Sequence, residues 1–394
     1  MKPTTNWLSD ADVKQLFSAF ADAGQELRFV GGCVRDSVLE KPFVDLDAAS
    51  TATPDEAMAL LEKAGIRTIP TGIAHGTVTA LVGRRSVEIT TLRRDETTDG
   101  RHADVSFTKD WEEDAARRDF TMNALYVSEA GELFDYHGGV ADAKAGIVRF
   151  IGDADKRIKE DYLRILRFFR FHAHYAKTAF DADALRACGV HKDSIVRLSG
   201  ERISHEMLKL LSAPQASESI AQMEESGILQ PLLLSAQQLR GLIRLEQIPT
   251  ILNMPLLKLA SLLYDEPHAN AVGKRWRLSN YQMRQINQWL AYYTQIDVGL
   301  SEAKQKHYRR KWGTEIYQES VMLAYANSTA EWQDFALLLA VCEWVPPVFP
   351  VTGDDLKSAG IAEGKALGDA LSRLEMLWEE SDYTLTKSEL LSRI

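Results

Sequence analysis

The aspartates Asp45 and Asp47 lie two positions apart in a stretch, residues 43–48, whose polar and apolar side chains alternate. Alternation of this kind predicts a strand with both carboxylates on one face and the apolar side chains on the other. Two negative charges on one strand face repel each other, and a bound cation relieves that repulsion. Because Mg²⁺ prefers carboxylate and other oxygen ligands, the pair predicts a magnesium site.

A glycine pair, Gly31 and Gly32, separates a short predicted strand, residues 27–30, from a predicted helix, residues 33–39. Glycine permits a tight turn whose bare backbone can approach a ligand, and the N–H groups at a helix start favour anions. Arg35 adds a positive charge at the same place. Each feature alone is common, but the glycine turn, the carboxylates and the arginine together predict a site for a nucleoside triphosphate and its metal ions.

The sequence GGCVRD at residues 31–36, followed by DLD at residues 45–47, resembles the first motif of the class II tRNA nucleotidyltransferases. These are the CCA-adding enzymes, and the bacterial poly(A) polymerases are their relatives. Three later segments resemble the family's ribose-recognition, hinge and base-selecting motifs: RRDFTMNA at 117–124, DYHGG at 135–139 and EDYLR at 160–164. Four motifs in this order are highly specific, whereas the C-terminal half of the chain adds little.

The resemblance implies an α+β fold, with an N-terminal polymerase-β-like nucleotidyltransferase domain, a mixed sheet with helices, followed by an all-α C-terminal region. It implies template-independent addition of CCA to the 3′ end of tRNA from CTP and ATP, with release of pyrophosphate. Two Mg²⁺ ions on Asp45 and Asp47 are the implied cofactors. We predict a catalytic head at residues 1–138, a helical neck with the base-selecting helix at 139–213, and an RNA-binding helical body and tail at 214–394.

A predicted β-hairpin carries a third acidic side chain, Glu88, between residues 76–82 and 86–92. Its two segments are rich in β-branched residues and are joined by a Gly-Arg-Arg turn. The resemblance supports a catalytic role for Glu88 beside Asp45 and Asp47, which would complete a two-metal site. A cross-strand ion pair between Glu88 and an arginine explains the residue about equally well.

Arg118, Asp119 and Asn123 fall within residues 117–125, which we predict to form a helix. On adjacent helical turns, these side chains present donors and an acceptor suited to ribose hydroxyls and triphosphate oxygens. A surface network of ion pairs is the alternative explanation of the same spacing.

Glu160, Asp161 and Arg164 are spaced to share one face of a helix that we predict to begin near Lys159. An ordinary i, i+4 ion pair is the alternative. Cytosine and adenine both present an exocyclic amine beside an unprotonated ring nitrogen, so an aspartate acceptor with an arginine donor matches these two bases and mismatches uracil and guanine. The resemblance gives Asp161 and Arg164 this selecting role, with Glu160 orienting Arg164. The complete predicted nucleotide-binding set is Gly31, Gly32, Arg35, Arg118, Asp119, Asn123, Glu160, Asp161, Arg164 and Arg167.

Residues 93–114 are polar and aperiodic, which predicts a mobile loop between the hairpin that bears Glu88 and the predicted helix that bears Arg118. In the resembling family this loop is assigned the switch from C to A addition, and enzymes limited to CC addition lack a complete one. The presence of the loop therefore favours synthesis of the whole CCA sequence.

The composition is that of a folded protein with more than one core: 394 residues, 45% of them hydrophobic and 26% charged. The three cysteines are far apart, which argues against disulfides and a zinc site and favours a reducing compartment. Neither a signal peptide nor a membrane span is recognisable in the sequence. We expect a cytoplasmic protein with no membrane association.

A net charge of −10 disfavours general nucleic-acid binding, so RNA contacts must come from local basic strips. A predicted helix at residues 302–312 carries such a strip, and its residues are predicted to bind RNA: Lys304, Lys306, Arg309, Arg310 and Lys311. The predicted partners are the 3′ end of tRNA together with CTP and ATP. No obligate protein partner is evident from the sequence.

Three alternatives stay open on the sequence alone. A poly(A) polymerase of the same family would select ATP alone, although the acidic balance and the lack of a basic tail weigh against it. An enzyme that adds only CC or only A is the second alternative. A non-catalytic RNA-binding module is the third, and it is disfavoured because acidic residues facing a phosphate site hinder simple RNA binding.

Overall fold

The computed structural model describes residues 6–43, 45–73, 76–98, 103–214 and 216–394. Its strands are β1 (Leu27–Val30), β2 (Leu46–Ser50), β3 (Arg67–Gly72), β4 (Thr77–Val82), β5 (Arg85–Thr91), β6 (Arg93–Thr98), β7 (Ala103–Phe107), β8 (Leu125–Val127) and β9 (Leu133–Asp135). Seven of them form one mixed sheet in the order β3-β4-β5-β2-β1-β8-β9, and β6 with β7 forms a separate hairpin. Only β2 and β5 pair in parallel within the described sheet.

Helices follow the sheet for the rest of the chain. Among and after the strands lie α1 (Ala11–Ala21), α2 (Gly32–Val38), α3 (Pro54–Lys63), α4 (Trp111–Ala116), α5 (Gly139–Ala145), α6 (Ala154–Glu160), α7 (Leu163–Tyr175), α8 (Ala182–His191), α9 (Gly200–Leu211) and α10 (Ala216–Glu225). Further on lie α11 (Leu239–Leu245), α12 (Pro255–Ala260), α13 (Glu266–Trp276), α14 (Asn280–Tyr292), α15 (Glu302–Trp312), α16 (Thr314–Ala326), α17 (Trp332–Leu337), α18 (Gly353–Ser358), α19 (Lys365–Glu380) and α20 (Lys387–Leu391). A mixed sheet followed by helices confirms the predicted fold class. None of the helices in the described ranges is long and apolar enough to cross a membrane.

The chain divides into two compact units, one made of Met1–Ala236 with Lys274–Arg277 and the other of Gln237–Gly273 with Leu278–Ile394. All four motif segments lie in the first unit. The predicted three-part division, with boundaries at residues 138 and 213, stays a prediction.

Apolar side chains fix the sheet to the helices that carry the first motif. Phe17 and Phe20 of α1, Phe29 of β1 and Val34 of α2 belong to one buried cluster, together with Leu46 of β2. Burial of each large side chain contributes about 2 kcal/mol against the cost of ordering the chain. The glycine turn and β2, the strand of Asp47, therefore share one core, and the Cys33 thiol contacts the Asp47 carbonyl at 3.7 Å.

The predicted helix at residues 117–125 is wrong. Helix α4 ends at Ala116, and after a break the chain forms a single 3₁₀ turn, Thr121–Asn123. Two interactions compete with helical hydrogen bonding. The Asp119 carboxylate accepts the N–H of Phe120 at 2.8 Å, and Phe120 pairs as an isolated bridge with Phe150.

The predicted loop at residues 93–114 is also wrong in the part that the structure describes. Strands β6 and β7 form an antiparallel hairpin there, and α4 follows with Asp110 as its N-cap, accepting N–H bonds from Glu112 and Glu113. Strand β6, RRDETT, is wholly polar and carries no strand signal, whereas β7, ADVSF, does alternate but is only five residues long. Residues 99–102, at the tip of the predicted loop, lie outside the described residues.

The base-selecting segment is split between two helices instead of lying on one. Glu160 is the last residue of α6, Asp161 adopts an extended conformation (φ −155°, ψ 108°), and α7 begins at Leu163. One face of α7 packs into the interior, because Ile165, Phe168, Phe169 and His172 are all buried.

Candidate active site

The parallel pairing of β2 with β5 brings two of the predicted catalytic carboxylates together. Asp47 and Glu88 are register partners on neighbouring strands, and Asp45 precedes β2 by one residue. Burial, followed by the negative charges of Glu88 and Asp45, raises the pKa of Asp47 to about 6, although Arg118 and Arg35 act in the opposite direction. A carboxylate with this environment gains from a nearby cation.

The structure bears on the two explanations of Glu88. Within the described ranges no arginine or lysine forms an ion pair with Glu88, whose side chain is exposed beside Asp47. The arginine partner considered from the sequence is therefore not found among these residues. A metal-binding role for Glu88, the register partner of Asp47, stays a proposal.

The donor set suits Mg²⁺ but does not enclose an ion by itself. Asp45 and Asp47 supply carboxylate oxygens, yet no three His, Cys, Asp or Glu side chains converge on one point in the part of the chain described. Mg²⁺ commonly binds through one or two carboxylates, with substrate phosphates and water as its other ligands. The residues present fit such a shared site.

The glycine turn has the backbone conformation that the sequence predicted. Gly31 has φ 75° and ψ −126°, a region that is strained for any residue with a Cβ. Its N–H donates to Leu125 O at 3.1 Å, which ties the turn to β8. Helix α2 begins at Gly32, so the open donors at this place belong to the first turn of α2 and not to Gly31.

Arg35 is buried, and its guanidinium is already bound by protein groups. Asp36 accepts Nε and Nη2 through its two oxygens, both at 2.9 Å. Asn123 Oδ1 accepts Nη1 at 2.6 Å, and the Tyr175 hydroxyl accepts Nη2 at 2.6 Å. The residue that we predicted to face a phosphate thus joins α2 to the 3₁₀ turn and to α7.

Asp119 is the next member of the same network. Its Oδ1 accepts the Asn123 amide at 3.0 Å, and its Oδ2 accepts Arg167 Nε at 2.7 Å. Burial by itself would raise the pKa of the Asp119 carboxyl, but the Arg167 guanidinium outweighs it and lowers the pKa to about 2. Glu206 of α9 continues the network through ion pairs with Arg167 at 3.7 Å and with Arg170 at 2.8 Å.

The network therefore runs without interruption from α2 to α9. Arg35, Asn123, Asp119 and Arg167 were all predicted site residues, and the structure brings them together by mutual hydrogen bonds. Sequence reasoning missed Tyr175 and Glu206, and no local spacing signal links either of them to the motifs. The arrangement supports the alternative of an ion-pair network, here a buried one that holds the site together.

Arg118 is the arginine of the RRDFTMNA segment whose charge acts on the catalytic carboxylates. Its charge lowers the pKa of Asp47, which places the guanidinium within electrostatic reach of that carboxylate. Arg118 Nη2 binds Asp114 Oδ2 at 3.0 Å, and Nε binds the Tyr126 hydroxyl at 3.0 Å. Its orientation is thus fixed before any ligand binds.

Arg164 is held by three acceptors, and Glu160 is one of them. The backbone carbonyls of Arg157 and Arg117 accept its Nη1 and Nη2, each at 2.8 Å. The Glu160–Arg164 ion pair is required both by the orienting role and by the plain ion-pair alternative. Its presence therefore does not decide between them.

Asp161 is not paired with Arg164. Its Oδ1 accepts the Leu163 N–H at 3.1 Å, and its Oδ2 accepts Arg202 Nη2 at 2.7 Å. Arg202 of α9 was missed by the sequence analysis, since it lies far from the motif along the chain. Arg202 orients the Asp161 carboxylate, and in the same way the Glu160 carboxylate orients the Arg164 guanidinium.

The basic strip of α15 is partly neutralised by acidic residues within its own unit. Lys306 pairs with Asp382 at 2.8 Å and with Glu302 at 3.1 Å. Arg310 pairs with Glu375 at 2.6 Å and with Glu379 at 3.0 Å, both on α19. Arg309 has a buried Nε, whereas Lys304 and Lys311 are exposed and have no acidic partner in the described ranges.

Two family models match the chain. The poly A polymerase head domain matches residues 27–149, and the probable RNA and SrmB-binding site of polymerase A matches residues 179–239. The first match covers the glycine turn, the carboxylates and the second and third motifs.

Relatives and solved structures extend the match to nearly the whole chain. The mouse protein named CCA tRNA nucleotidyltransferase 1, mitochondrial (Mus musculus) is 34% identical over 97% of this chain and 89% of its own. The CCA-adding enzyme of Leuconostoc mesenteroides is 42% identical over 53% of this chain and 51% of its own. The crystal structure of the Bacillus stearothermophilus CCA-adding enzyme in complex with CTP superimposes with a TM-score of 0.81 at 26% identity, covering 97% of this chain and 96% of that one.

The sheet with its paired carboxylates and the matching head domain define a nucleotidyltransferase. With 34% identity to the mouse protein over almost its full length, the chain belongs to the CCA tRNA nucleotidyltransferase family. This confirms the family that the four motifs predicted.

Proposed function

We propose that this enzyme adds CCA to the 3′ end of tRNA from CTP and ATP without a nucleic-acid template, releasing pyrophosphate. The observation that carries the proposal is the pairing of Asp47 with Glu88 across β2 and β5, with Arg118 close enough to influence the Asp47 carboxyl. Acidic groups beside a fixed cation suit nucleotidyl transfer and disfavour a passive RNA-binding module.

Relatives support the substrate. The mouse relative is named for CCA addition to tRNA, and the Bacillus stearothermophilus enzyme was crystallised with CTP. We propose the same nucleotide class for this chain. A poly(A) polymerase and enzymes that add only CC or only A stay as alternatives within the family.

In the proposed reaction, the RNA 3′-hydroxyl attacks the α-phosphorus of the nucleotide in line with the leaving pyrophosphate. A new O–P bond forms, the bond between the α-phosphorus and the bridging oxygen breaks, and the hydroxyl proton passes to solvent water. Two Mg²⁺ ions on Asp45 and Asp47 would stabilise the attacking and leaving oxygens. Arg118, held by Asp114 and Tyr126, would bind triphosphate oxygens, and the first turn of α2 would add N–H donors.

We propose that Asp161 and Arg164 select the base. Asp161 would accept the exocyclic amine of cytosine or adenine, and Arg164 would donate to the unprotonated ring nitrogen beside it. Both side chains are oriented by protein partners, Asp161 by Arg202 and Arg164 by Glu160. Preorganised donors and acceptors cost no reorganisation when the base arrives.

Arg35, Asp119, Asn123 and Arg167 have a different part in this proposal. Because they bind one another, we assign them the task of holding the two sides of the nucleotide site in register. Any contact that they make with ribose or phosphate would use the few donors and lone pairs left over. The RNA-binding role of α15 is proposed mainly for Lys304 and Lys311.

The test uses tRNA transcripts that end at the discriminator base, at C and at CC, each incubated with a single nucleoside triphosphate. We expect C on the first two and A on the third, with no U or G. Repeated addition of A to all three, or to unstructured RNA, would instead favour a poly(A) polymerase. Failure of the CC substrate alone would identify a CC-adding enzyme.

Asp47→Asn is the matched inactive variant. The amide has the same size but cannot replace an anionic metal ligand, so we expect loss of addition by at least about 10³-fold, the scale of losing a metal-held transition state. Addition of MgCl₂ should raise the melting temperature of the wild type more than that of the variant. Retained turnover in the variant would contradict the metal-site assignment.

The predicted cellular location and the predicted domain boundaries remain predictions. The cytoplasmic location is still a prediction, since the mouse and human relatives are named as mitochondrial. The division into head, neck, and body with tail is likewise proposed, and limited proteolysis would test its boundaries.

A further inference from the structure

Asp114 is a fully buried carboxylate near the end of α4 that lies outside the four motifs. It accepts six hydrogen bonds from four residues. Oδ1 accepts hydrogen bonds from Arg117 Nε at 2.9 Å, from Arg117 Nη2 at 2.6 Å and from the Arg93 N–H at 3.3 Å. Oδ2 takes Arg118 Nε at 3.3 Å and Nη2 at 3.0 Å, and the Tyr126 hydroxyl at 2.7 Å.

This carboxylate is charged in spite of its burial. Burial raises the pKa of the Asp114 carboxyl, but the guanidiniums of Arg118 and Arg117 outweigh it and hold the pKa below its usual range. A buried ion of this kind is retained only where every lone pair has a partner. The position of each partner is therefore tightly determined.

The two arginines on Asp114 lead to different halves of the nucleotide site. Arg118 lies on the side of the sheet, because its Nε binds the hydroxyl of Tyr126 on β8, and β8 pairs with β1, which pairs with the β2 strand of Asp47. Arg117 faces the base-selecting half, because its backbone carbonyl accepts Arg164 Nη2 at 2.8 Å. Asp114 thus holds both Arg117, whose carbonyl supports Arg164, and the Arg118 guanidinium.

The third tie from Asp114 goes to the β6–β7 hairpin. Arg93, whose N–H binds Asp114, is the first residue of β6. The second strand is fastened to α4 at the same end of the hairpin, since Thr108 follows β7 and its hydroxyl donates to Glu113 at 2.6 Å. A displacement of the base of this hairpin would therefore act on two adjacent residues of α4, Glu113 and Asp114.

We infer that Asp114 is a positioning residue that couples the β6–β7 hairpin to Arg118 and, through the Arg117 carbonyl, to the base-selecting Arg164. The inference rests on the proposed function and deepens it. Asp114 touches no substrate, because it is completely buried. It acts through the two arginines that it holds.

The test compares Asp114→Asn with Asp142→Asn. Asparagine keeps the size and one acceptor oxygen but removes the charge at each site. Asp142 is a matched control: it is 2% exposed, lies in the same unit, and accepts Thr121 Oγ1 at 2.6 Å and Arg149 Nε at 2.7 Å, so that it shares no side-chain partner with Asp114 among the described residues. Both variants should lower the melting temperature, so stability alone does not separate them.

Base selectivity, measured per active molecule, separates the two variants, because a loss of stability alone would not change it. We expect Asp114→Asn to reduce the preference for CTP over UTP on tRNA ending at the discriminator base by about tenfold, within the range of coupling in one contact network. Asp142→Asn should leave that ratio unchanged. An unchanged ratio in both variants would overturn the inference.

A second variant covers the case in which Asp114→Asn does not fold. Arg117→Gln removes a partly exposed guanidinium and keeps the carbonyl that binds Arg164, now without its anchor. It should also lower the CTP to UTP preference, and unchanged selectivity here would equally contradict the coupling. A wild-type chain that adds neither C nor A would instead overturn the proposed function, and the coupling with it.

Discussion

Asp119 is the residue on which the two sides of the nucleotide site depend. Its carboxylate accepts hydrogen bonds from Asn123 of the 3₁₀ turn and from Arg167 of α7. The Asn123 side-chain oxygen in turn accepts a hydrogen bond from Arg35 of α2. Removal of this buried carboxylate would leave the Arg167 guanidinium with only its longer ion pair to Glu206, at 3.7 Å. At the residue scale, the site is built from side chains that bind each other first.

Asp119→Asn should lower the free energy of unfolding at pH 7. The Asp119 pKa of about 2 lies below the model-peptide value of 3.8, so ionised Asp119 stabilises the fold. Two pKa units correspond to about 2–3 kcal/mol. This contribution is complete above the ordinary carboxyl pKa and is lost as the pH falls towards 2, so the gap between wild type and variant should narrow in acid.

Urea unfolding at pH 7 and at pH 3 measures that gap. Asp193→Asn, at an exposed aspartate, is the control and should change the stability by no more than about 0.5 kcal/mol at either pH. A gap that is equal at both pH values would show that Asp119 acts through packing and not through its charge.

Arg164→Ala should relax base choice. The alanine variant lacks the donor to the unprotonated ring nitrogen, so CTP and ATP lose about 1–3 kcal/mol of preference over UTP and GTP. Single-nucleotide incorporation with all four triphosphates measures this. Arg186→Ala, which removes an exposed ion pair with Asp155, is the control. Low activity with unchanged selectivity would favour the plain ion-pair explanation.

Residue types and spacing found most members of the site but not their partners. The GGCVRD and RRD segments pointed to Arg35 and Asp119, because local spacing and family motifs are visible in a sequence. The pairings of Asp161 with Arg202 and of Arg35 with Tyr175 join positions 41 and 140 residues apart. Contacts between residues so far apart along the chain depend on how the helices pack, and the local periodicity of the sequence does not predict them.

At the element scale, the same limit explains which helices and strands were predicted. Helix α15 has the predicted bounds, since it has strong helical composition between clear end signals, Ser301 and Gly313. The break between α6 and α7 was missed because Asp161 lacks glycine or proline beside it. There the Leu163 N–H binds the Asp161 side chain, and this local bond replaces helical geometry.

Shortening the β6–β7 hairpin should separate A addition from C addition. We predict that replacing residues 97–101 with a shorter glycine linker leaves two C additions largely intact but sharply reduces A addition to tRNA ending in CC. The physical reason is that the hairpin is fastened to α4, whose last turn supports Arg164. A movable element beside a rigid selector can gate one step of a reaction.

The control for this prediction is a glycine replacement in the turn between β8 and β9, which lies at the edge of the sheet. Addition to CC-ending tRNA measures both variants. Equal loss of C and A addition in the hairpin variant would show a structural role only, and no loss of either would remove the hairpin from the mechanism.

At the scale of the whole molecule, charge has to be distributed so that an acidic chain can still hold RNA. The net charge is −10, and even the basic face of α15 is opposed by acidic residues of α19. Lys306 and Arg310 are therefore poor phosphate ligands unless their partners release them. Exposed surface pairs are worth at most about 1 kcal/mol each, so the balance is sensitive to salt.

The double variant Lys304→Ala with Lys311→Ala should weaken tRNA binding and reduce its salt dependence. Each lost phosphate contact should flatten the slope of log K against log salt by about 0.7 to 0.9. Lys306→Ala with Arg310→Ala is the matched control, because it removes the same charge from the same helix but takes away residues already paired with acids. Titration of labelled tRNA at several salt concentrations measures both slopes, while the affinity for CTP should not change. Equal slopes in the two variants would show that net charge and not the exposed lysines governs binding, and a wild-type slope in both would place the RNA away from α15.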